Sequence, residues 1–333
     1  MKELIKKLVE TYGPSGSEEQ IRQAIMEEVG PFVDDLRVDP LGNLIAVKRA
    51  AKGDGGKKIM VAGHMDEIGV MVTHVDEKGF LRFGVIGGVS PQVLLGERVV
   101  FADGTVGVIG SERLDEPKDL RVEKLFIDIG AKDKAQAEKV TGIGRSAGYY
   151  RKLDDLGGRL VSKAMDDRIG CAVMIQAARE LKKSPNDVYL VFTVQEEVGL
   201  RGARTSAFAV DPDLGIAVDV TRTGDTPKGL TMAVELGGGA AIKVKDSSLV
   251  AHPKVKELMT EVARAEGIPH QFEVLEAGGT DAGAIHLTRE GVPSGTISIP
   301  TRYIHTPSEV VDYGDVQACV RLLKGILERR VEL

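Results

Sequence analysis

Acidic residues and histidines follow several apolar segments of this sequence, at positions where buried strands are predicted to end. In open α/β sheets, ligands bind at the carboxyl ends of the strands. Two imidazoles and several carboxylates gathered there suit borderline divalent ions such as Zn²⁺ or Co²⁺. Two ions with three protein ligands each, one carboxylate being shared, need five ligands, so the set is sufficient for a dinuclear site and a general base. The set comprises His64, Asp66, Asp166, Asp167, Glu196, Glu197, Asp219 and His305.

Some of these residues also have a plain structural interpretation when each is considered alone. His64 could be an ordinary loop histidine. Asp66 could cap a turn, or it could hold the second ring nitrogen of His64 as a support for a metal ligand. Asp166 and Asp167 precede an apolar helical segment, where an acidic pair is favoured by the helix dipole. These alternatives stay open at the level of single residues.

Asp219 and the pair Glu196–Glu197 are harder to explain structurally. Asp219 ends an apolar strand, and a buried carboxylate without a partner is costly. Adjacent residues of a regular strand point to opposite faces, so Glu196 and Glu197 can serve one site only if the chain bends there. Gly199 and Gly202 lie just beyond them and favour such a bend.

The remaining polar motifs predict structural roles. We expect His74, His252, His270 and His286 not to be ligands. The glycine-rich segment 278–283 lacks the lysine of a phosphate-binding P-loop. We expect it to pass close to the substrate, with Thr280 or Asp281 capping the helix that follows.

The elements that would position these residues are those of an α/β domain. Short apolar runs at 59–62, 189–194, 215–220 and 295–299 predict buried strands. Helices are predicted over 167–183, around 255–262 and over 316–327, and Ser17 with Gln20 predicts a capping box for an earlier helix ending near Val29. Between about residues 68 and 161 the pattern changes to alternating segments with hairpin turns at 76–79 and 103–104. This stretch predicts a small antiparallel barrel or sandwich inserted into the α/β domain.

Composition limits the classes of protein that this chain can represent. With 333 residues, two domains or one large α/β domain with an insertion are expected. The net charge of −6 argues against a nucleic-acid-binding surface. No apolar run of about 18 residues predicts a membrane span, and the first residues do not have the pattern of a secretory signal. The two cysteines, Cys171 and Cys319, form no C-x-x-C motif and are expected to be reduced core residues of a cytoplasmic protein.

Six motifs follow one another along the chain: GHMDEIG at 63–69, KAMDDR at 163–168, VQEEVG at 194–199, AVD at 217–219, GGTDA at 278–282 and YIH at 303–305. Together they resemble the M42 metallo-aminopeptidases of the tetrahedral (TET) type, which include glutamyl and deblocking aminopeptidases. The resemblance extends over nearly the whole chain, and the opening Gly-Pro-Ser-Gly at 13–16 also fits.

This resemblance implies a phosphorylase/hydrolase-like, three-layer α/β catalytic domain formed by residues 1–67 and 163–333. Residues 68–162 would form an inserted small β-barrel (PDZ-like) dimerisation domain, and dimers would assemble into a tetrahedral dodecamer. Two divalent ions, Zn or Co, would be bound per subunit, and peptides would be the substrates. One ion would be held by His64, Asp166 and Asp219, and the other by Asp166, Glu197 and His305. Glu196 would be the general base, and Asp66 would assist as the partner of His64.

Three other functions compete with an aminopeptidase. A deacylase or another amidohydrolase could use the same dinuclear site. An endoglucanase would need two carboxylates about 5–9.5 Å apart and no metal; the two histidines and the absence of tryptophan from the sequence argue against it. A non-catalytic binding protein would be expected to lack the base or a ligand.

Overall fold

The computed structural model of the protein describes residues 1–51 and 56–332. Its longest helix begins within the motif at 163–168, and most of the others flank the large sheet. Among the described residues, no helix combines the length and the apolar character needed to cross a bilayer. The α-helices are α1 (Lys2–Glu10), α2 (Glu19–Val29), α3 (Lys134–Val140), α4 (Met165–Glu180), α5 (Arg201–Val210), α6 (Pro253–Ala265), α7 (Ala282–Ile285) and α8 (Tyr313–Leu327).

Most strands belong to one mixed sheet of 11 strands, in the order β1-β2-β12-β3-β13-β16-β17-β11-β10, with β14 beside β16 and β15 beside β14. The strands β12, β3, β13 and β16 are parallel to one another and form its centre. The bounds are β1 (Asp35–Val38), β2 (Leu44–Lys48), β3 (Lys58–His64), β10 (Asp154–Asp155), β11 (Arg159–Ser162), β12 (Asp187–Thr193), β13 (Leu214–Thr221), β14 (Ala240–Lys245), β15 (His270–Val274), β16 (Ser294–Arg302) and β17 (Glu309–Asp312).

Both faces of this sheet are covered by helices, because the central strands are apolar on both sides. Successive side chains of a strand point to opposite faces. Ile59 and Val61 of β3 therefore join the core beneath α1, α2, α4, α6 and α8, whereas Met60 and Ala62 join the core beneath α5 and α7. The predicted three-layer α/β architecture is confirmed. Cys171 and Cys319 are buried free thiols in the larger core.

The inserted segment forms a closed antiparallel barrel in the order β4-β5-β8-β7-β6-β9. It has a separate apolar core that includes Leu81, Ile109 and Ile127. The barrel alternative is thus confirmed over the sandwich, and the hairpins at 76–79 and 103–104 join β4 to β5 and β6 to β7. The strands are β4 (Gly69–Val75), β5 (Leu81–Ile86), β6 (Arg98–Phe101), β7 (Val106–Ser111), β8 (Leu125–Asp128) and β9 (Ser146–Tyr149).

The two strands that follow the barrel belong to the large sheet. The strand β11 pairs with β17 of the large sheet, and β10 pairs with β11. We therefore propose that the barrel unit ends near residue 150.

The predicted capping box at Ser17 and Gln20 is wrong. The N-terminal cap position of α2 is Glu18, and no side chain caps the helix there. Ser17 Oγ instead lies 2.8 Å from Ser146 Oγ on β9, and Gln20 Nε2 donates to the carbonyl oxygen of Ala102 at 2.8 Å. Both side chains bind the barrel because the helix begins against it, a contact that local sequence does not reveal.

Candidate metal centre

The two histidines of the predicted set lie on either side of Asp166. His64 is the last residue of β3, opposite Thr193 at the end of β12, and His305 lies in the turn between β16 and β17. Asp166 Oδ1 lies 2.9 Å from His64 Nε2, and Asp166 Oδ2 lies 3.3 Å from His305 Nε2. The two oxygens of one carboxylate thus face two different imidazoles, which is an arrangement in which one residue can serve two ions.

Glu197 completes the group on the His305 side. Its Oε2 lies 3.2 Å from His305 Nε2, and its Oε1 is buried with no hydrogen-bond partner among the described residues. His64, Asp166 and Glu197 each offer a ligand atom within 4.8 Å of the other two. A buried carboxylate oxygen without a donor is costly, and a cation beside it would satisfy it.

Asp219 lies on the other side of His64. It is the sixth residue of the buried strand β13, and its carboxylate falls in a second group with His64 and Asp167 in which the ligand atoms again lie within 4.8 Å of one another. Burial raises the pKa of Asp219 well above its ordinary value, and the charge of Asp166 adds to the shift. The carboxylates of Asp167 and Asp219 lie so close together that both remain ionised only with a positive charge nearby.

Asp167, one of the sequence candidates, lies within this group and does not cap α4. The cap position of α4 is Ala164, and Asp167 is fully buried with backbone torsions outside the helical region. Its Oδ2 accepts the backbone N–H of His64 at 3.2 Å, and its Oδ1 accepts that of Gly170 at 3.1 Å. Asp167 thus connects the end of β3, which carries His64, to the first turns of α4. The doubled acid in the motif at 163–168 was the only signal of this role in the sequence.

Glu196 and Glu197 reach the same site because the chain turns before them. Gln195 has a positive φ of 54° and separates the pair from the end of β12 at Thr193. Asp66 fixes the turn, since its Oδ1 accepts the N–H of Glu196 at 2.9 Å and its Oδ2 accepts the N–H of Glu197 at 3.3 Å. Ser15 Oγ donates to the same Oδ2 at 2.6 Å. The positive φ of 124° at Gly199 follows the pair and continues the turn.

The contact between Asp66 and His64 is mainly through the backbone. His64 Nδ1 lies 3.1 Å from the carbonyl oxygen of Asp66 and 3.6 Å from its Oδ1. A main-chain acceptor at Nδ1 leaves Nε2 directed toward Asp166, as is usual for a metal-binding histidine.

Burial raises the pKa of Glu196 well above its ordinary value; His64 lowers it, whereas Asp219 and Glu197 raise it further. Its Oε2 lies 3.8 Å from His64 Nε2. A carboxylate in such surroundings accepts protons readily, and cations placed beside it favour its ionised form.

Glu309 is a residue that sequence reasoning missed. It is buried at the start of β17 and accepts backbone N–H groups from both Asp166 and His305. Its place four residues after His305 is the only sequence signal for this contact.

The site opens into a pocket of about 380 Å³. The glycine-rich segment at 278–279 lines this pocket together with Leu200, Leu275 and Ile304. Asp281 occupies the cap position of α7 but makes no capping bond; it accepts a hydrogen bond from Thr193 Oγ1 at 2.5 Å instead. His74, His252, His270 and His286 belong to neither of the two ligand groups found among the described residues.

The family model for the M42 glutamyl aminopeptidases matches residues 42–322, which is most of the chain. The chain belongs to the M42 family. It is therefore an aminopeptidase, a hydrolase of peptide bonds, and the resemblance of the six motifs is confirmed.

Sequence and structure comparisons agree over almost the full length of this M42 peptidase. It is 53% identical to a putative aminopeptidase of Acetivibrio thermocellus, with 97% of each chain covered. Its fold is similar to that of the aminopeptidase APDkam598 from Desulfurococcus kamchatkensis, with a TM-score of 0.94, 44% identity and coverage of 98% and 94% of the two chains. It also resembles the TET1 peptidase of Pyrococcus horikoshii, with a TM-score of 0.87, 32% identity and 98% of each chain covered; that peptidase can assemble into a tetrahedron or a large octahedral shell.

Proposed function

We propose that the M42 peptidase removes N-terminal residues from peptides with two divalent ions, and that Glu196 is the general base. The observation that carries this proposal is the position of Asp166, whose two carboxylate oxygens face His64 and His305 separately. One ion would be held by His64, Asp166 and Asp219, and the other by Asp166, Glu197 and His305. Zn²⁺ and Co²⁺ are the ions that this mixture of imidazole and carboxylate suits.

The donor set fits such ions. The buried Glu197 Oε1 has no hydrogen-bond partner among the described residues, and several carboxylates share a small buried volume. When bound, the two ions polarise the scissile carbonyl, stabilise the charge that develops on its oxygen and lower the pKa of the attacking water.

Glu196 would move the proton of the hydrolytic step. Its carboxylate takes a proton from the attacking water and later delivers it to the leaving amine nitrogen, the two roles of a positioned acid–base group. Asp66 positions this base by accepting the backbone N–H of Glu196 at 2.9 Å.

A metal-removal experiment tests the proposal. We expect exhaustive chelation to abolish hydrolysis of aminoacyl-anilides and short peptides, and added Co²⁺ or Zn²⁺ to restore it. Metal content would be measured by elemental analysis of the same samples. Full peptidase activity in protein verified to be metal-free would contradict the dinuclear site. N-acylated amino acids and a soluble cellulose derivative belong in the same panel, because faster turnover of either would favour the deacylase or the endoglucanase.

We further propose that the peptidase is cytoplasmic and assembles from dimers into a tetrahedral dodecamer, with the barrel mediating dimerisation. The assembly of the similar TET1 peptidase into closed shells supports this proposal, as do apolar side chains on the outside of the barrel. Val108 on β7 is 46% exposed, and Ile143 in the turn before β9 is 72% exposed. A closed shell would admit unfolded peptides and exclude folded proteins.

A further inference from the structure

The carboxylate of Glu309 links two chain segments that carry metal-ligand candidates. Its Oε2 accepts the backbone N–H of Asp166 at 3.0 Å, and its Oε1 accepts the backbone N–H of His305 at 2.8 Å. The residue is 1% exposed. It lies on β17, where it pairs with Ser162 of β11 just upstream of Asp166. One side chain thus spans the start of α4 and the turn between β16 and β17.

The turn that carries His305 needs contacts that hold it. Tyr303 and His305 have positive φ values of 61° and 65°, a region that costs free energy for residues other than glycine. Such a conformation persists only when the surrounding structure fixes it. The bond from the His305 N–H to Glu309 is a direct restraint on this turn.

The charge of Glu309 has no cationic partner in the described part of the chain. Its hydrogen-bond donors there are the two backbone N–H groups, and the structure records no ion pair of Glu309 with a lysine or arginine among these residues. A buried carboxylate is unfavourable unless it is compensated. Two divalent ions held by the residues that Glu309 contacts would supply that compensation.

We propose that Glu309 is a positioning residue of the metal centre, which fixes the backbone of Asp166 and His305 so that their side chains face one ion. The inference rests on the proposed two-metal function. The ion held by Asp166, Glu197 and His305 depends on Glu309 most, because two of its three ligands are restrained by it. The ion held by His64, Asp166 and Asp219 depends on it through Asp166 alone.

The variant Glu309→Gln tests this role with little change in size. One carboxylate oxygen becomes an NH₂ group, which can only donate and would face a backbone N–H donor. We expect the affinity for one of the two ions to fall about 10–100-fold, the usual effect of removing a group that orients a metal ligand. Titration of metal-free protein with Zn²⁺ or Co²⁺ against a competing chromophoric chelator measures this, and the Co²⁺ absorption spectrum reports the altered coordination.

A matched control is available at Asp315. This buried carboxylate also clamps two backbone N–H groups with its two oxygens, from Gly237 at 2.8 Å and from Gly239 at 2.7 Å, but neither glycine is a ligand candidate. Asp315→Asn therefore makes the same chemical change away from the ions. We expect this variant to bind both ions with wild-type affinity, whatever its melting temperature.

The outcomes separate this inference from the proposed function. If the wild-type chain binds fewer than two ions, or is active without metal, the proposed function fails before any variant is needed. If the wild-type chain binds two ions and Glu309→Gln binds both with affinities within twofold of the wild-type values, Glu309 has only a structural role and the inference is wrong.

A second variant, Glu309→Asp, decides the question if Glu309→Gln does not fold. It keeps the charge but is too short to hold both N–H groups. We then expect one weakened ion in Glu309→Asp, and two wild-type affinities would overturn the inference.

Discussion

Glu196 and Glu197 are neighbours in the chain, but their contacts indicate different chemistry. Glu197 lies 3.2 Å from His305 Nε2 and faces the pair of imidazoles around Asp166. Glu196 Oε2 lies 3.8 Å from His64 Nε2 and lines the pocket, and its carboxylate accepts no hydrogen bond from the described residues. A ligand holds an ion and a base moves a proton, so replacement by the isosteric glutamine should separate the two roles.

We predict that Glu196→Gln lowers kcat by at least about a hundredfold while both ions stay bound, because a general acid–base group contributes about 10²–10⁴-fold. Glu197→Gln should instead lower occupancy of the site shared with Asp166 and His305, and excess metal should partly restore its activity. Steady-state kinetics and metal analysis of the same preparations check both expectations. Near-normal kcat in Glu196→Gln, or equal metal loss in the two variants, would mean that the roles are assigned wrongly.

At the scale of elements, a buried ion pair joins the start of the chain to the site. Lys163 Nζ donates to Glu67 Oε2 at 2.6 Å, with both side chains almost fully buried. Glu67 also accepts the N–H of Gly13 at 3.0 Å, and Arg168 donates to the carbonyl oxygens of Leu8 and Gly13. The cluster therefore holds α1 and the following loop against the beginning of α4.

Lys163→Met should lower the free energy of unfolding by about 3–5 kcal/mol, because it leaves the carboxylate of Glu67 buried without its closest cation. Lys324→Met is the control, since Lys324 and Glu328 form a partly exposed pair at 3.9 Å that should contribute less than about 1 kcal/mol. Chemical denaturation at one protein concentration measures both values. Equal decreases in the free energy of unfolding of the two variants would show that the buried ion pair contributes no more to stability than the exposed pair.

The first turn of α8 contains a group that should make stability depend on pH. Burial raises the pKa of Asp315 to about 6, although the N–H groups of Gly237 and Gly239 lower it. Because this value lies above the ordinary 3.8, the folded chain binds the proton more tightly than the unfolded chain, and the contribution of Asp315 to stability falls as the pH rises through this window.

Asp315→Asn removes this titration. The free energy of unfolding of the wild-type chain minus that of the variant should therefore decrease between about pH 4 and pH 7. Urea denaturation of both proteins at several pH values measures the difference. A difference that is constant or increases with pH would show that the pKa of Asp315 is not raised.

At the scale of the whole molecule, the barrel is a separate apolar unit attached to the α/β domain. Its core shares none of its buried residues with the core beneath α4, and its outer strands carry exposed apolar residues such as Val108. These exposed apolar residues are the surface of the barrel on which we expect a contact with another subunit.

We predict that the wild-type chain forms assemblies of about twelve subunits with metal at micromolar concentration. Val108→Asp should reduce their mass, because a charge on the barrel surface would be desolvated in a subunit contact. Val108→Thr, which is similar in size and uncharged, is the control. Light scattering combined with gel filtration measures the masses. A monomeric wild-type protein would contradict the assembly, and an unchanged mass for Val108→Asp would place the contact elsewhere.

Local pattern was sufficient to predict the central strands and the type of chemistry. The runs at 59–62, 189–194, 215–220 and 295–299 coincide with β3, β12, β13 and β16 because a strand covered on both faces must be apolar along its length. The polar residues that follow such runs stand out for the same reason. The order of the motifs also predicted the family, which the family model confirmed.

The contacts that orient these residues were decided by tertiary structure. Glu309 accepts the backbone N–H groups of Asp166 and His305, and Asp167 accepts that of His64. No local pattern in the sequence shows which backbone N–H group will lie near a given carboxylate. The turn that directs both Glu196 and Glu197 toward the site is made at Gln195 and held by Asp66. Ser17 and Gln20 bind the barrel instead of capping α2. A strand or helix follows from the periodicity of its own residues, whereas the partner of a buried polar group depends on which chain segments the fold brings within hydrogen-bonding distance.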